Sequence, residues 1–173
     1  TPRLVRAANL IGRVAVTRRP MWSAFDVDEL HHRAVAATKL DDFGDDRYLE
    51  PLEVLLASLR DEAQLTPTGV FFARGAIVQA LSNRLRLQAD WNQYPEIDAV
   101  RIDSPIFIIG LPRTGTTLLQ NLLSLDQPRR NLLGWEAAHP SPPPTWSTYE
   151  TDPRIRAAER TTRLLDYLAP KAR

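Results

Sequence analysis

A chain of 173 residues, 43% hydrophobic and 25% charged, has apolar material for one core and too little length for two full-sized domains. Its 22 basic and 21 acidic residues leave a net charge of +1, which excludes a charge-swollen disordered polymer and a uniformly basic nucleic-acid binder. With no cysteine and three histidines, disulfide scaffolds, thiolate zinc sites and a cysteine nucleophile are excluded, and a histidine-rich metal site has little to build on.

No apolar run approaches the roughly 18 residues of a spanning helix, and no charged-then-apolar leader is present, so cytoplasm is the expected location. The lysines are Lys39 and Lys171; every other basic residue is arginine. That excess fits bidentate recognition of phosphate or carboxylate, and equally the codon use of a GC-rich genome.

In chain order, residues 1–19 hold Arg3, Arg6, Arg13, Arg18 and Arg19 without an acid, interleaved with Leu4, Val5, Leu10, Ile11, Val14 and Val16. This basic amphipathic arm suits a terminal helix packing its aliphatic side on the body, and also an anionic-surface anchor or transit segment. Asp26-Val27-Asp28-Glu29 has the spacing of a capping box and predicts a helix to about Thr38. Asp41 to Asp46, around Gly44, reads as a turn; it lacks the closing Glu and the ligand order of an EF-hand calcium loop. Leu52, Leu55, Leu56 and Leu59 form a helical stripe. Thr66-Pro67 then restarts the chain as cap and first helical residue, and Val70, Ile77, Val78, Leu81 and Leu85 mark a long helix. Residues 1–98 are therefore expected to be a helical N-terminal region.

The pattern changes at Ser104. Pro105-Ile106-Phe107-Ile108-Ile109 is a short apolar, β-branched and aromatic run ended by Gly110, which predicts a strand buried on both faces of a parallel sheet. Leu118, Leu119, Leu122 and Leu123 continue as a helix beyond the loop, Pro140 to Pro144 form an extended connector, and Asp152-Pro153 caps a last helix with Ile155, Ala158, Leu165 and Leu168.

Between strand and helix lies Gly110-Leu111-Pro112-Arg113-Thr114-Gly115-Thr116-Thr117. Its glycines let the backbone curl so that consecutive N–H groups point inward, and the following helix adds its positive end. Thr116 and Thr117 add hydroxyl donors and Arg113 a permanent charge. In the nucleotide-triphosphate loop a lysine would stand at Thr116, reaching the β and γ phosphates. Its absence disfavours ATP hydrolysis. A sulfuryl group carries one negative charge against two for a terminal phosphoryl, so one cation and oriented donors suffice there without magnesium.

The stretch from Pro105 to Leu119 resembles the phosphosulfate-binding loop of sulfotransferases dependent on 3′-phosphoadenosine 5′-phosphosulfate (PAPS), in the bacterial branch with Arg in the loop. Leu40-Asp41-Asp42-Phe43-Gly44 and Asn83-Arg84-Leu85 also look like the N-terminal part of actinobacterial members. The resemblance implies an α/β, P-loop-like fold with a parallel sheet flanked by helices, preceded by the helical region. Residues 104–173 would be the start of that domain. PAPS would be the co-substrate, with no metal and no nucleic acid, and the acceptor a small-molecule, carbohydrate or lipid hydroxyl or amine.

Carried over by position, Arg113 contacts the departing 5′-phosphate and moving sulfuryl, and Thr114, Gly115, Thr116 and Thr117 hold the 5′-phosphate. Glu136, in Leu133-Gly134-Trp135-Glu136, stands where tyrosylprotein sulfotransferases carry a Glu, and becomes the candidate general base. His139 is the second candidate. One strand does not make a sheet, and the Arg and Ser that bind the 3′-phosphate in the family are not found after Glu136; Arg154, Arg156, Arg160 and Arg163 do not match them. With a start at Thr1, the chain is expected to be the N-terminal portion of a larger enzyme. Two other readings stay open: a P-loop kinase or NTPase without the usual lysine, and an inactive helical interaction module.

Overall fold

Helix starts in this protein are set locally. The structure, a computed structural model, describes residues 5–6, 9–10, 24–111, 114–126 and 130–168. Helix α1, Val27–Thr38, begins where the Asp26 carboxylate accepts the Glu29 N–H at 2.9 Å. Only half of the expected capping box forms. The Glu29 carboxylate turns away to Arg33 at 2.9 Å and Arg74 at 2.7 Å, because two guanidinium partners outcompete one backbone amide. Helix α2, Leu49–Asp61, follows a short 3₁₀ turn at Asp46–Tyr48. Helix α3, Pro67–Gln93, is capped by the Thr66 hydroxyl, which accepts the Gly69 N–H, and has Pro67 at its first turn.

These helices enclose the core. Phe25, Leu30, Ala34, Leu56, Ile77, Leu81 and Leu85 are buried together, with α1 lying chiefly against α3. On the α2 stripe Leu56 is buried and Leu52 and Leu59 pack beside the core, whereas Leu55 is 47% exposed. Its position is one step round the helix from the contact line.

The Asp41–Asp46 turn is fixed rather than merely solvated. Gly44 adopts φ +69°, the Asp42 carboxylate accepts the Gly44 N–H at 2.8 Å, and Arg84 donates to the Phe43 carbonyl at 2.6 Å while lying 4.1 Å over the Tyr48 ring. Of the basic arm, residues 5–6 and 9–10 are described, and the Asn9 side chain accepts the Thr68 N–H at 3.0 Å; the rest lies outside the described residues.

The expected strand takes another form. Residues 100–111 run without helix, and Pro105–Ile109 pair with no other segment, so no strand occurs among the described residues. Phe107 and Ile109 are 81% and 93% exposed. A strand is defined by its ladder, and no described segment lies alongside this one to supply it. After the loop come α4, Thr116–Leu123, α5, Gly134–Ala138, and α6, Pro153–Leu168. The expected apolar face of α4 is also uncovered, with Leu118 64% and Leu122 57% exposed.

Candidate functional site

Among the described residues the loop leads into a helix start that has no side-chain cap. The Thr114 hydroxyl donates to the Leu111 carbonyl at 2.7 Å and folds the loop back on itself. Gly110 is required by that fold, since a Cβ there would lie 2.8 Å from the Thr116 methyl and 2.9 Å from the Thr114 hydroxyl. Gly115 holds φ +86° as the N-cap of α4 and has open space where a side chain would stand. The first helical bond runs from Leu119 N–H to the Gly115 carbonyl at 3.0 Å, so the amides of Thr116, Thr117 and Leu118 have no helical acceptor. Among the described residues no side chain caps them. This donor set, with the Thr116 and Thr117 hydroxyls, has the chemistry of an anion receptor. Arg113 and Pro112 lie outside the described residues.

Helix α4 reaches the candidate base through one side chain. Gln120, one turn beyond Thr116, donates to Asn131 Oδ1 at 3.1 Å and to the Leu132 carbonyl at 3.4 Å. The next residue, Leu133, donates its N–H to Glu136 Oε2 at 2.9 Å. Glu136 is 3% exposed. Arg130 donates to its Oε1, and the Tyr149 hydroxyl donates to Oε2 at 3.2 Å. Burial, and then the adjacent Glu136 carboxylate, raise the Tyr149 phenol above its usual range. Among the described donors to Glu136, the Arg130 side chain is 61% open to solvent.

A second knot holds the Glu136 helix in place. Arg154 donates to Asp152 Oδ1 at 2.9 Å and Oδ2 at 2.6 Å, to the His139 carbonyl at 2.9 Å and to the Pro142 carbonyl at 2.6 Å. Its guanidinium lies 4.9 Å over the ring of buried Trp135. The hydrogen-bonded Arg154 holds the Asp152 carboxyl down at about 2. Asn83 of α3 donates to the Ala138 carbonyl at 2.8 Å, and Gln79 lies 3.5 Å from the His139 ring. His139, the second candidate base, is therefore half-buried against α3.

Sequence reasoning singled out Glu136 but not Arg130 or Tyr149, which donate to its carboxylate. A cavity of about 380 Å³ near Asp42, Leu85 and Asn92 shares no residue with the loop or with Glu136. Among the described residues no group of three metal-ligating side chains gathers, and no helix is long and apolar enough to cross a membrane.

The described residues thus set a glycine-turned loop at the start of α4 and, further along the chain, the buried carboxylate of Glu136. Residues 105–171 match the model of the sulfotransferase family. Sulfotransferase STF1 from Mycobacterium tuberculosis superposes with a TM-score of 0.72 at 41% identity, over 84% of this chain and 40% of that one. Sulfotransferase STF9 from Mycobacterium avium superposes with a TM-score of 0.71 at 32% identity, over 81% of this chain and 36% of that one. Residues 105–171 belong to the sulfotransferase family, and the chain shares the fold of these two sulfotransferases over four-fifths of its own length while spanning two-fifths or less of theirs. No protein of curated function matches the sequence.

Proposed function

We propose that the chain carries the donor loop and the general base of an enzyme that moves a sulfuryl group from PAPS to an acceptor hydroxyl or amine. The observation that carries this reading is the uncapped N-terminus of α4 behind Gly115, within a segment that matches the family. In this reading Gly115, Thr116 and Thr117 hold the 5′-phosphate through amides and hydroxyls, with Thr114 shaping the loop. By the resemblance of the loop, Arg113 supplies the cation for the 5′-phosphate and the sulfuryl group.

Glu136 removes the acceptor proton. Arg130, the exposed donor on Oε1, gives way to the acceptor, while Leu133 N–H and Tyr149 keep Oε2 in place. The acceptor oxygen or nitrogen then bonds to sulfur as the bond from sulfur to the 5′-phosphate oxygen breaks. The released charge stays on the bisphosphate, where Arg113 and the α4 amides stabilise it more than in the ground state. No metal is required. The Lys of the nucleotide-triphosphate loop is replaced by Thr116, which separates this site from kinase chemistry.

The test is a pair of variants titrated calorimetrically with adenosine 3′,5′-bisphosphate. Arg113→Ala is expected to weaken binding at least tenfold and Glu136→Gln to leave it within twofold, since Glu136 meets the acceptor. Equal loss in both variants contradicts the assignment of roles.

A further inference from the structure

The turn after the proline run carries an aromatic series that the sulfuryl chemistry leaves unused. Trp146 is 93% exposed. Its ring centroid lies 6.4 Å from that of Tyr149 at an interplanar angle of 38°, and Tyr149 in turn sits 5.6 Å from Trp135, edge to face. The same Tyr149 ends on the Glu136 carboxylate at 3.2 Å. Aromatic surface thus leads from bulk solvent to the group assigned as base.

Trp146 differs in kind from the other bare apolar residues. Phe107 and Ile109 stand on a non-helical segment that pairs with no other described segment. Trp146 stands in a closed turn whose backbone is already bonded, Thr148 N–H to Thr145 carbonyl at 3.1 Å and Thr151 N–H to Thr148 carbonyl at 3.0 Å. The turn is anchored on both sides by Arg154, through the Pro142 carbonyl and Asp152. A platform fixed in advance loses little entropy when a ligand lands on it.

The surroundings of the indole point to one ligand chemistry. Thr145, Ser147 and Thr148 flank it, and their hydroxyls exchange hydrogen bonds at 3.2 and 2.7 Å. An aliphatic tail needs an aliphatic wall, and these flanking residues are hydroxylic. A sugar ring offers an apolar C–H face to the electron-rich indole and hydroxyls to the rim, matching both.

We propose that Trp146 and Tyr149 form the acceptor platform and that the acceptor is a carbohydrate, stacked on Trp146 with one hydroxyl directed to Glu136. The proposal rests on the reading of this segment as a sulfotransferase site and adds the acceptor class to it.

The experiment presents the labelled 173-residue chain, its Trp146→Ala form and its Trp146→Phe form to an array of immobilised neutral and amino-sugar oligosaccharides. All three are also titrated with adenosine 3′,5′-bisphosphate. Trp146 is solvent-exposed, so circular dichroism is expected to be unchanged in both variants. The proposal expects retention by a subset of oligosaccharides, weakened at least tenfold in Trp146→Ala and less in Trp146→Phe, with bisphosphate affinity unaltered. No retention on any oligosaccharide, or equal retention by Trp146→Ala, overturns it. Bisphosphate binding without oligosaccharide binding removes the platform and leaves the sulfotransferase reading standing. Oligosaccharide binding that depends on Trp146, without bisphosphate binding, supports the platform and counts against the donor site. Retention by phenol- or lipid-bearing surfaces alone overturns the carbohydrate assignment.

Discussion

Replacing Arg154 by alanine is expected to loosen the segment that carries Trp135 and Glu136 without touching the helical core. The Arg154 and Asp152 side chains are 15% and 9% exposed, so the pair is largely withdrawn from solvent. The alanine variant strands the Asp152 carboxylate on a single backbone N–H, that of residue 154 at 2.9 Å. It also leaves the His139 and Pro142 carbonyls without the guanidinium that served them. Breaking a buried pair from one side costs about 3–5 kcal/mol. Water entering the vacated space recovers part of the loss at the carbonyls, so about 3 kcal/mol is the expected local effect. Native-state hydrogen exchange reads it directly. Amides of α5 and the first turn of α6 should exchange roughly a hundredfold faster, at about 1.4 kcal/mol per factor of ten, while those of α1 and α3 keep their protection. A change below tenfold in α5, or an equal change throughout the chain, would refute the claim that Arg154 holds this segment.

Three further outcomes follow from individual residues. Leu85 is fully buried, and Leu85→Ala should lower stability by about 2–5 kcal/mol in urea titration; a loss under about 1 kcal/mol would mean the α1–α3 contact is not the core. Gly44 combines φ +69° with a would-be Cβ 2.4 Å from Oε1 at the far end of the flexible Gln88 side chain, so Gly44→Ala should cost roughly the 1 kcal/mol of a left-handed residue in urea titration. Adding Gln88→Ala should leave that cost nearly unchanged. Asp152 has its folded-state pKa lowered from 3.8 to about 2, first by its hydrogen bond from Arg154. Its contribution to stability is therefore complete above about pH 4 and fades as pH falls through 2. Urea midpoints between pH 5 and 2 should fall less steeply in Asp152→Asn than in the parent chain, and identical slopes would count against the assignment.

Elements that depend on neighbours in sequence were legible. The Asp26 and Thr66 caps act over three residues and the Gly44 turn over two, so residue type alone points to them. Partner choice over longer distance was not. Glu29 has the spacing to close a capping box, yet Arg74, 45 residues away, takes its carboxylate. Pro105–Ile109 has a strand's composition, but a ladder needs a second segment, and none is present among the described residues.

The candidate site divides in the same way. The glycines and hydroxyls of the donor loop are contiguous and state their chemistry in order. The environment of Glu136 is assembled from Arg130, Tyr149 and, through Trp135, Arg154. In the sequence these are an exposed-looking arginine, a tyrosine in a polar turn and one arginine of a helix. The proline run between them reads in the sequence as an extended connector and gives no sign that they meet.

The central claim is that the uncapped turn at Gly115–Thr117 is a receptor for the donor's 5′-phosphate. Calorimetric titration of the chain with adenosine 3′,5′-bisphosphate, beside ADP with and without magnesium, tests it most directly. The account predicts saturable binding of the bisphosphate that is independent of magnesium and stronger than that of ADP. Binding of ADP only in the presence of magnesium, with none of the bisphosphate, would contradict it.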